Sequence, residues 1–383
     1  HVDCRTNGIR IMTKILEAVA MSGGVDSSVA ALLRVRAGAE VVGLTMQLWD
    51  SDCADAGTKA CCGLEHALDA RNVCKALGAS HKLLDLREEF KAQVVDVFVR
   101  EYLAGRTPNP CVRCNTFMKW DVLWAKAEEL GCQKLSTGHY ANIVEGPYGH
   151  ELRRGADLAK DQSYFLWGIP RHLLSKTMFP LADLPKSDTR QLAADAELPT
   201  AKKSESQDIC FVPGGDYREL VRKQSGEDRP PLLEPGPIVD ALGNPMGTHQ
   251  GLACYTIGQR RGVGVASTAP LYVIGIEPET NTLRLGFQDD LLVDHLVLEQ
   301  ENWLLHDTEV LPEELQVQVR YRSRAMPAKV VRTKSGTEIT LHEPSLAPAN
   351  GQSMVIYHQD RVIGGGILSK SDRLRLTPTE PGK

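Results

Sequence analysis

The strongest constraint on the fold is the regular alternation of strand-like and helix-like segments over residues 14–139. Apolar, β-rich runs such as Glu40–Leu48 alternate with amphipathic helical runs such as Phe117–Leu130. Strands that are separated by helical patterns predict a parallel sheet with helices on both faces. Such sheets bind ligands at the carboxyl ends of their strands, so a site is expected in the loops that follow the strands.

One of these loops has the composition of a phosphate site. The segment Ala20–Ser28, with the sequence AMSGGVDSS, lies where a predicted strand ends and a helix begins. Adjacent glycines let the backbone approach an anion, and the first turn of a helix offers unpaired N–H groups. The serines add donors, and Asp26 is a candidate ligand for Mg²⁺ on the phosphates. The loop matches neither GxxxxGK[ST] nor GxGxxG, and a simple helix-capping turn is the alternative interpretation.

Two segments carry cysteines in surroundings that favour thiol chemistry. Cys111 and Cys114 form a CxxC pair on a proline-stiffened loop that is predicted to precede a helix. Because a helix N-terminus lowers the pKa of a thiol, we expect this pair to be activated. Farther along the chain, Cys210 follows Lys202 and Lys203, and cationic neighbours favour the thiolate.

Composition and charge are those of an ordinary globular protein. Hydrophobic residues make up 42% of the 383 residues and the net charge is −5, which argues against a wholly basic nucleic-acid binder, so any RNA contact would have to come from local basic patches. No apolar run reaches the roughly 18 residues of a membrane span, and no secretory leader is recognised, which predicts a cytoplasmic protein. In a reducing compartment the cysteines are expected to serve catalysis or metal binding. Residues 1–11 are interpreted as an extension before Met12.

A change of pattern predicts further domains. The length exceeds what one hydrophobic core usually serves. From about Pro230 the chain consists of short alternating strands, including a hairpin over residues 271–287, which predicts a small barrel or sandwich. The stretch Gln316–Gly336 holds six Lys and Arg residues and no acid. Strand alternation would place several of these cations on one face for phosphate binding, and an ordinary solvated face is the alternative.

Several motifs together resemble the tRNA-specific 2-thiouridylase family, which belongs to the PP-loop ATP pyrophosphatase superfamily. In chain order they are SGGVDSS, TPNPxxxCN, GHYA, KDQSYFL, DICF, HQGLxxYTIGQRRGxG and GQSMVIY followed by GGGIL, over about residues 14–368. The resemblance implies an α/β fold: a parallel-sheet PP-loop (adenine nucleotide alpha hydrolase-like) domain, a small mixed central domain and a C-terminal β-barrel. The implied domains are a catalytic one at 12–215, whose helical part at about 171–195 contributes to the central region, a tRNA-binding one at 216–284, and the barrel at 285–376.

The resemblance also implies roles for individual residues. Cys210 corresponds to the persulfide carrier and Cys114 to the catalytic nucleophile, and a Cys114–Cys210 disulfide is the expected product of sulfur transfer. The positions expected to bind ATP are Ala20, Met21, Ser22, Gly23, Gly24, Val25, Asp26, Ser27, Met46 and Gly138. The positions expected to approach the target base are Asn109, Pro110 and Cys111. The positions expected to contact tRNA are His139, Lys160, Asp161, Gln162, Arg320, Tyr321 and Gln352.

The implied reaction is ATP-dependent adenylation of the wobble uridine O2, followed by sulfur transfer from a cysteine persulfide. Its products are 2-thiouridine, AMP and pyrophosphate. ATP and Mg²⁺ are the implied cofactors. The implied partners are tRNAs, in general those for Lys, Glu and Gln, and a persulfide donor, either a cysteine desulfurase or a sulfur-relay protein. The persulfide attacks C2 directly or Cys114 first releases sulfide, and the sequence leaves both routes open.

Cys111 departs from the motif of the family, which most often reads NPDxxC. A thiol with an ordinary pKa of about 8.5 is a poorer base than the carboxylate that it replaces. Cys111 is then either a neutral substitute in the pocket, with Mg²⁺ arriving only on ATP, or a metal ligand. In the second interpretation, Cys111, Cys114 and Cys210 bind an iron–sulfur cluster with one open iron.

Three other functions compete with this interpretation. A PP-loop enzyme that adenylates a small molecule needs neither paired cysteines nor a basic β-domain. A tRNA-binding protein with an inactive ATP site would carry a damaged glycine loop, whereas SGGVDSS is intact. A zinc site on Cys53, Cys61 and Cys62 is disfavoured because their spacing lacks the CxxC pairs of structural zinc sites.

Overall fold

The structure is a computed structural model, and it describes residues 15–49, 63–204, 209–212, 216–225, 231–334 and 336–373. The predictions of an N-terminal extension and of a zinc site on Cys53, Cys61 and Cys62 lie outside these ranges. No helix within the described ranges is long and apolar enough to cross a membrane.

Strands and helices alternate in the first part of the chain, and strands predominate in the rest. The strands are β1 (Leu16–Ala20), β2 (Glu40–Gln47), β3 (Ser80–Asp85), β4 (Lys134–Ser136), β5 (Ala141–Gly146), β6 (Gly149–Arg154), β7 (Thr177–Met178), β8 (Gly236–Val239), β9 (Pro245–His249), β10 (Tyr272–Glu277), β11 (Thr282–Gly286), β12 (Leu292–Trp303), β13 (Leu315–Gln318), β14 (Met326–Thr333), β15 (Gly336–Leu346), β16 (Ser353–His358) and β17 (Arg361–Arg373). The α-helices are α1 (Val25–Arg36), α2 (Gly63–Ala76), α3 (Arg87–Phe90), α4 (Asp96–Leu103), α5 (Pro110–Arg113), α6 (Trp124–Glu129), α7 (Lys186–Asp195) and α8 (Tyr217–Gln224). Wider π-helical turns, Lys91–Val95 and Cys114–Leu123, connect α3 to α4 and α5 to α6. Short 3₁₀ helices are Ser163–Phe165, Arg171–Lys176, Pro231–Leu233, Leu252–Cys254, Pro278–Thr280 and Gln288–Leu291.

A five-stranded sheet in the order β3-β2-β1-β4-β7 forms the N-terminal domain, and all of its pairings are parallel. Ala18 and Val19 are neighbours on β1 and point to opposite faces, because side chains alternate along a strand. Ala18 joins a core cluster with Trp120 and Leu135, whereas Val19 joins a second cluster with Val29 of α1. Both faces are therefore covered, which confirms the predicted α/β architecture.

The C-terminal strands form a closed antiparallel barrel. The strands follow one another in the order β12-β15-β14-β13-β16-β17, and β12 also pairs with β17, which closes the sheet. A separate four-stranded sheet, β10-β11-β8-β9, forms the central domain around Val273 and Leu283. Strands β10 and β11 form an antiparallel hairpin, as predicted for residues 271–287. The central domain and the C-terminal barrel are thus both confirmed.

The N-terminal domain and the barrel share one sheet and one core. The hairpin β5–β6 belongs to the N-terminal part of the chain, but β6 pairs with β17 at Arg153 and Arg361. Tyr164 and Tyr357, one from each side of this junction, are buried in the same cluster. The sequence pattern did not predict this connection, because a lone hairpin does not reveal which sheet edge it will join.

Two elements differ from the sequence-based prediction. The helix that carries the CxxC pair begins at Pro110 instead of Phe117, because proline is well tolerated in the first turn and Asn109 caps it by accepting a hydrogen bond from the Val112 N–H (3.2 Å). The predicted basic strand is also interrupted: residues 319–325 form a turn, so the first three cations of the stretch do not alternate on a strand.

Helix α7 packs with the parallel sheet. Ala193 of this helix is fully buried in the cluster that contains Val29 of α1, and Leu192 packs against the same cluster. The predicted helical segment 171–195 thus contributes its last helix to the N-terminal core. This position brings the first residue of α7, Lys186, next to the glycine loop.

Candidate active site

The glycine loop connects β1 to α1 and is held by its own serines. Ser27 Oγ donates to the Gly24 carbonyl (3.1 Å) and accepts from the Ser22 N–H (3.3 Å). Gly23 has a φ of +69°, and a Cβ there would collide with the carbonyl oxygen of His66. Only glycine fits that position, which keeps the backbone open where α1 begins. The arrangement suits an anion at the helix N-terminus.

Of the other positions that were predicted to bind ATP, some bury their side chains in the core and others lie at the ends of strands. Met21 and Val25 bury their side chains in the core, so only their backbone faces the loop. Ala20 is the last residue of β1. Met46 lies near the end of β2, half-buried, and packs against two core clusters together with Leu84.

Asp26 is held by two partners that the sequence analysis missed. The Lys186 Nζ donates to both carboxylate oxygens of Asp26 (2.5 and 2.7 Å), and the Tyr140 hydroxyl donates to Oδ1 (3.0 Å). The carboxylate is thus already paired with a cation. Nothing in the local sequence around Lys186 signals this contact, because it lies 160 positions from Asp26 along the chain.

The two cysteines that were predicted to be catalytic line one cavity. Cys114 lies on the helix that begins at Pro110, and Cys210 lies on the segment 209–212, yet both face a space of about 240 Å³. Cys111 lines the same cavity, and all three are free thiols. The sequence predicted the residues, and the structure brings them together.

Phe211 fixes the position of Cys210. Its ring packs edge-on against Phe90 (5.5 Å between centroids) and Phe98 (5.2 Å), on the helices beside the cavity. The side chain is only 3% exposed, and burying it contributes roughly 2 kcal/mol. Because Cys210 is its neighbour, this anchor turns the thiol toward the cavity.

A lysine lies among the three thiols. Lys119 Nζ donates to Asn115 Oδ1 (2.8 Å) and lies 3.2 Å from His139 Nε2. Since an ammonium group only donates, Nε2 accepts and the proton of the imidazole is on Nδ1, which donates to Thr137 Oγ1 (2.6 Å). Burial and the Lys119 charge hold the pKa of His139 well below its ordinary value, so the ring is neutral.

The expected activation of the thiols by their sequence neighbours is wrong. Burial raises the pKa of Cys114 to about 11 and that of Cys210 to about 12, and it also raises the pKa of Cys111. Cys114 follows the first turn of its helix, beyond the free N–H groups of the terminus. Lys203 does not act on Cys210, because it pairs with Asp69 (2.5 Å). The cation that favours the thiolates is Lys119, which the sequence analysis missed.

Three consecutive residues connect the glycine loop to the thiol cavity. Gly138 lies against the loop, where a Cβ would come within 2.7 Å of the Ser27 nitrogen. His139 lines the cavity beside Lys119, and Tyr140 returns to the loop through Asp26. Adjacent residues of one turn thus contact the loop on one side and the cavity on the other.

The three parts of the fold match known family models. Residues 15–214 match a tRNA methyl transferase HUP domain, residues 231–286 a tRNA methyl transferase PRC-barrel domain, and residues 293–368 an aminomethyltransferase beta-barrel domain.

Curated relatives match nearly the whole chain. The tRNA-specific 2-thiouridylase MnmA of Carboxydothermus hydrogenoformans is 43% identical over 361 residues, which cover 92% of this chain and 97% of the relative. The enzymes of the same name from Magnetococcus marinus and Acidithiobacillus ferrooxidans are 45% and 44% identical, and each match covers 92% of this chain and 98% of the relative. The chain belongs to the tRNA-specific 2-thiouridylase family. A solved 4-thiouridine synthetase–RNA complex with bound ATP is 15% identical to this chain. The match covers 55% of this chain and 50% of that protein, with a TM-score of 0.35.

Some positions that the family resemblance assigns to the base and to tRNA lie at the cavity. Pro110, His139 and Gln162 line it directly. The Gln162 Oε1 also accepts from the Tyr140 N–H (3.0 Å). Tyr321 packs on Phe165, another residue of the cavity wall, with 4.3 Å between ring centroids. Pro110, His139, Gln162 and Phe165 thus form part of the wall of the thiol cavity, and Tyr321 packs behind it.

Other positions serve internal contacts. Asp161 is buried, pairs with Arg154 (2.9 Å) and accepts from the Ser163 N–H and hydroxyl. Arg320 donates to the Ala347 carbonyl, and burial lowers its pKa. The Lys160 backbone N–H donates to the carbonyl of Asp157, and its side chain is half-exposed. Their roles toward tRNA stay predictions of the family resemblance, as does that of Gln352.

The alternative role of Cys111, Cys114 and Cys210 is to bind an iron–sulfur cluster. Among the residues that the structure describes, no group of three or more His, Cys, Asp and Glu side chains is placed to hold a metal ion. The iron–sulfur alternative at Cys111, Cys114 and Cys210 stays a prediction. Iron and labile-sulfide analysis after anaerobic purification tests it, and metal-free protein with full activity would exclude it.

Proposed function

We propose that this chain is a tRNA-uridine 2-sulfurtransferase that adenylates the wobble uridine O2 with ATP and then replaces this oxygen by sulfur carried on Cys210. Membership of the thiouridylase family supports the reaction class. The observation that carries the assignment is the single cavity shared by Cys114 and Cys210, whose wall residue His139 directly follows Gly138 at the glycine loop. Activation by ATP and delivery of sulfur both have to reach the same base.

ATP is assigned to the glycine loop. Gly23 and Gly138 pack tightly against the backbone of His66 and of Asp26 and Ser27, which fixes the shape of the loop where α1 begins. The N–H groups of the first turn of α1 and the hydroxyls of Ser22 and Ser27 are the proposed donors to the phosphates. The loop retains pyrophosphate while the uridine O2 attacks the α-phosphorus. Mg²⁺ bound to ATP would offset the charge of its phosphates, and Lys186 beside Asp26 is a further cation at the loop.

Adenylation makes C2 of the uridine electrophilic and turns AMP into the leaving group. In the direct route the terminal sulfur of a Cys210 persulfide attacks C2 and AMP departs. The Cys114 thiolate then attacks the Cys210 sulfur, which breaks the S–S bond and frees the 2-thiouridine. In the alternative route Cys114 attacks first and the released sulfide attacks C2. Both routes end with a Cys114–Cys210 disulfide.

The residues around the thiols prepare them for this step. Lys119 offsets the charge of a thiolate in a site where burial disfavours ions. The neutral His139 accepts from Lys119 and so holds the ammonium in place. Phe165, against which Tyr321 packs, provides an aromatic face at the cavity wall, which suits a base that has left its stack.

The proposed partners follow from this reaction. The substrate is tRNA, with the isoacceptors for Lys, Glu and Gln as the proposed set. The sulfur comes from a cysteine desulfurase or a sulfur-relay protein, and we place the reaction in the cytoplasm. Arg322, Arg324 and Lys329 are exposed on the barrel and are proposed to contact the RNA backbone.

The substitution Cys210→Ser tests the proposal. The variant is expected to release pyrophosphate from ATP only when tRNA is present, but to form no 2-thiouridine, because activation precedes sulfur delivery. Pyrophosphate release and mass spectrometry of the wobble nucleoside measure the two steps, with Cys132→Ala, a buried thiol outside the cavity, as the control. Normal thiolation by Cys210→Ser would refute the carrier role. Pyrophosphate release without tRNA would favour adenylation of a small molecule.

A further inference from the structure

A second cavity, the junction cavity, lies between the 3₁₀ helix Arg171–Lys176 and the barrel, and the proposed reaction does not use it. It encloses about 350 Å³ and shares no lining residue with the thiol cavity. Its lining includes four side chains that carry or can take up a positive charge, namely Arg171, His172, His306 and Arg332. Guanidinium and imidazole groups on one concave surface are typical of a site for an anion.

Neither arginine of the junction cavity forms an ion pair with a carboxylate of the described residues. Arg171 Nη2 donates to the Tyr148 carbonyl (3.1 Å), which uses one of its five N–H donors. The Arg332 guanidinium lies over the ring of Trp303, 4.7 Å from its centroid. Trp303 is held in turn, because its ring N–H donates to Glu301 Oε2 (3.0 Å). Both guanidinium groups are thus positioned by uncharged groups and keep N–H donors for a ligand.

The two acids in the lining differ in their pairing. Glu309 accepts hydrogen bonds from Arg361 on both carboxylate oxygens, one of them at 2.9 Å. These bonds hold the pKa of Glu309 below its ordinary value, and Arg171 contributes from farther away, so this carboxylate is ionised and already neutralised. Asp307 is exposed and has no ion pair among the described residues. The cavity therefore presents two available guanidinium groups against one available carboxylate.

His306 adds a further donor. Its Nδ1 accepts from the Thr308 N–H (3.2 Å) and lies 2.8 Å from the Thr308 hydroxyl. Because Nδ1 accepts, the proton of the neutral imidazole is on Nε2. The ring stacks on Tyr148, with 6.2 Å between centroids. Tyr148 therefore positions both His306, through its ring, and Arg171, through its carbonyl.

We propose that the junction cavity is a second phosphate-binding site, separate from the glycine loop, that takes a phosphate group of a nucleotide. Guanidinium groups match phosphate oxygens with paired N–H donors, and the Nε2–H of His306 supplies one more. Trp303, which also lines the cavity, offers an aromatic surface to the attached sugar or base. This site goes beyond the proposed function, which needs only the glycine loop and the thiol cavity.

The phosphate has two sources, RNA and a free nucleotide product. His172, Asp307 and Arg332 are exposed, so the opening admits a phosphodiester that continues on both sides as well as a terminal phosphate. Phe165 of the thiol cavity and Arg171 are six residues apart, so their Cα atoms are at most roughly 22 Å apart, less than the roughly 34 Å of one duplex turn. The RNA source rests on the proposed function. AMP and pyrophosphate, which the proposed reaction releases, are the free alternatives.

Arg332→Gln tests the site with little risk to the fold, because this side chain is exposed and packs only on the Trp303 ring. Fluorescence anisotropy with labelled, unmodified tRNA is expected to show about tenfold weaker binding, and the slope of log K against log salt should shrink by about one. Isothermal titration with AMP and with pyrophosphate forms the second arm. Arg36→Gln, which removes an exposed arginine at the end of α1, is the matched control and should bind all three ligands like the parent.

The two arms distinguish the sources. Weaker binding of tRNA by Arg332→Gln identifies RNA as the source, and weaker binding of AMP or pyrophosphate identifies a free nucleotide product; either result supports the site. If Arg332→Gln binds all three ligands as tightly as the parent, the inference is overturned.

Asp307→Asn gives a change in the opposite direction. It is expected to strengthen binding of the same ligand several-fold, because it removes the available carboxylate from the cavity. A substitution that only disturbed the fold would not strengthen binding. Unchanged or weaker binding by Asp307→Asn would contradict a phosphate in the junction cavity.

Failure of the proposed function is separable from failure of this inference. If the parent protein forms no 2-thiouridine, the proposed function is wrong, and the binding measurements still decide whether the junction cavity takes a phosphate. If the parent thiolates tRNA but Arg332→Gln matches it in both binding arms, only this inference fails.

Discussion

Lys119 is the cation that the three cavity thiols share. Burial disfavours every ionised sulfur there, and it is the largest cause of the raised pKa of Cys111, Cys114 and Cys210. The Lys119 charge acts in the opposite direction on all three; burial lowers the pKa of Lys119 itself, and the negative charge of the cysteines raises it. Because Lys119 is held by Asn115 and His139, its position does not depend on the thiols themselves. The reactivity of the cavity is thus controlled by a residue that carries no sulfur.

Replacing Lys119 tests this control. In Lys119→Met the alkylation of Cys114 by iodoacetamide at pH 8.5 is expected to slow several-fold, because loss of the Lys119 charge raises the pKa of this thiol further and lowers its thiolate fraction. The rate in the parent should still rise between pH 8.5 and 10, since only the thiolate reacts and the pKa of Cys114 is about 11. Mass spectrometry of the tryptic peptides measures both rates.

The charge-preserving variant is the control for this experiment. Lys119→Arg should alkylate Cys114 at a rate close to that of the parent. If Lys119→Met and the parent react equally fast across this pH range, the electrostatic role of Lys119 is refuted.

The residues of the site were predictable to different degrees. Cys114 and Cys210 stand in motifs with a defined chemistry, and the sequence identified both. Lys119 and Lys186 were missed, because their roles depend on contacts across the fold and no local spacing reports such contacts. The direction of the thiol pKa was also missed, since burial depends on packing, whereas the sequence shows only neighbouring charges.

At the scale of elements, the turn Thr137–Tyr140 after β4 aligns the glycine loop with the cavity. Gly138 is pressed against Asp26 and Ser27, with no room for a side chain on that side. The contact is with backbone atoms, which cannot rotate away as a flexible side chain can. The close packing against the glycine loop, the proposed nucleotide site, therefore depends on a residue that has no side chain.

The substitution Gly138→Ala is expected to weaken ATP binding at least about tenfold, because a Cβ 2.7 Å from the Ser27 nitrogen must displace the loop. Isothermal titration with ATP and Mg²⁺ measures the effect. Gly247→Ala is the matched control, since the nearest atom to its added Cβ is 3.7 Å away in the central domain. Equal affinities of the two variants would show that Gly138 does not shape the site.

The elements themselves were largely predictable from hydrophobic pattern. The spacing of apolar residues along the chain predicted the parallel strands and the β-rich region after residue 230, and both are present in the fold. The start of the cysteine-bearing helix was misplaced, because Pro110 reads as a break although proline is favoured in a first turn. The interruption at residues 319–325 was missed because alternating cations resemble a strand face even where the chain turns.

At the scale of the whole molecule, the barrel positions the loop in front of the cysteines. The Gln352 Nε2 donates to the Thr107 carbonyl (2.8 Å), and the Thr107 N–H donates to the Asn350 carbonyl (2.7 Å). Arg106 forms an ion pair with Glu299 of β12 (2.6 Å). The loop that leads into the cysteine-bearing helix is therefore held by a domain that contributes no thiol.

Gln352→Ala tests whether this residue acts through the loop. Amide hydrogen exchange in the peptide containing residues 107–113 is expected to quicken about tenfold in the free protein, because one of its anchoring hydrogen bonds is lost. Gln316→Ala, an exposed residue of β13, is the control and should leave the exchange unchanged. Unchanged exchange together with weaker tRNA binding would instead show that Gln352 contacts the RNA directly.

The hairpin formed by β5 and β6 extends the sheet of the barrel, although the chain makes it before the central domain. Tyr164, which follows it, donates its hydroxyl to the Ser353 carbonyl (2.5 Å) from across the junction. If only the C-terminal barrel were replaced by that of a relative, the hairpin at residues 141–154 would pack against a β17 strand with a different sequence. A functional chimaera therefore has to transplant the hairpin along with the barrel, so that both sides of the junction come from one parent.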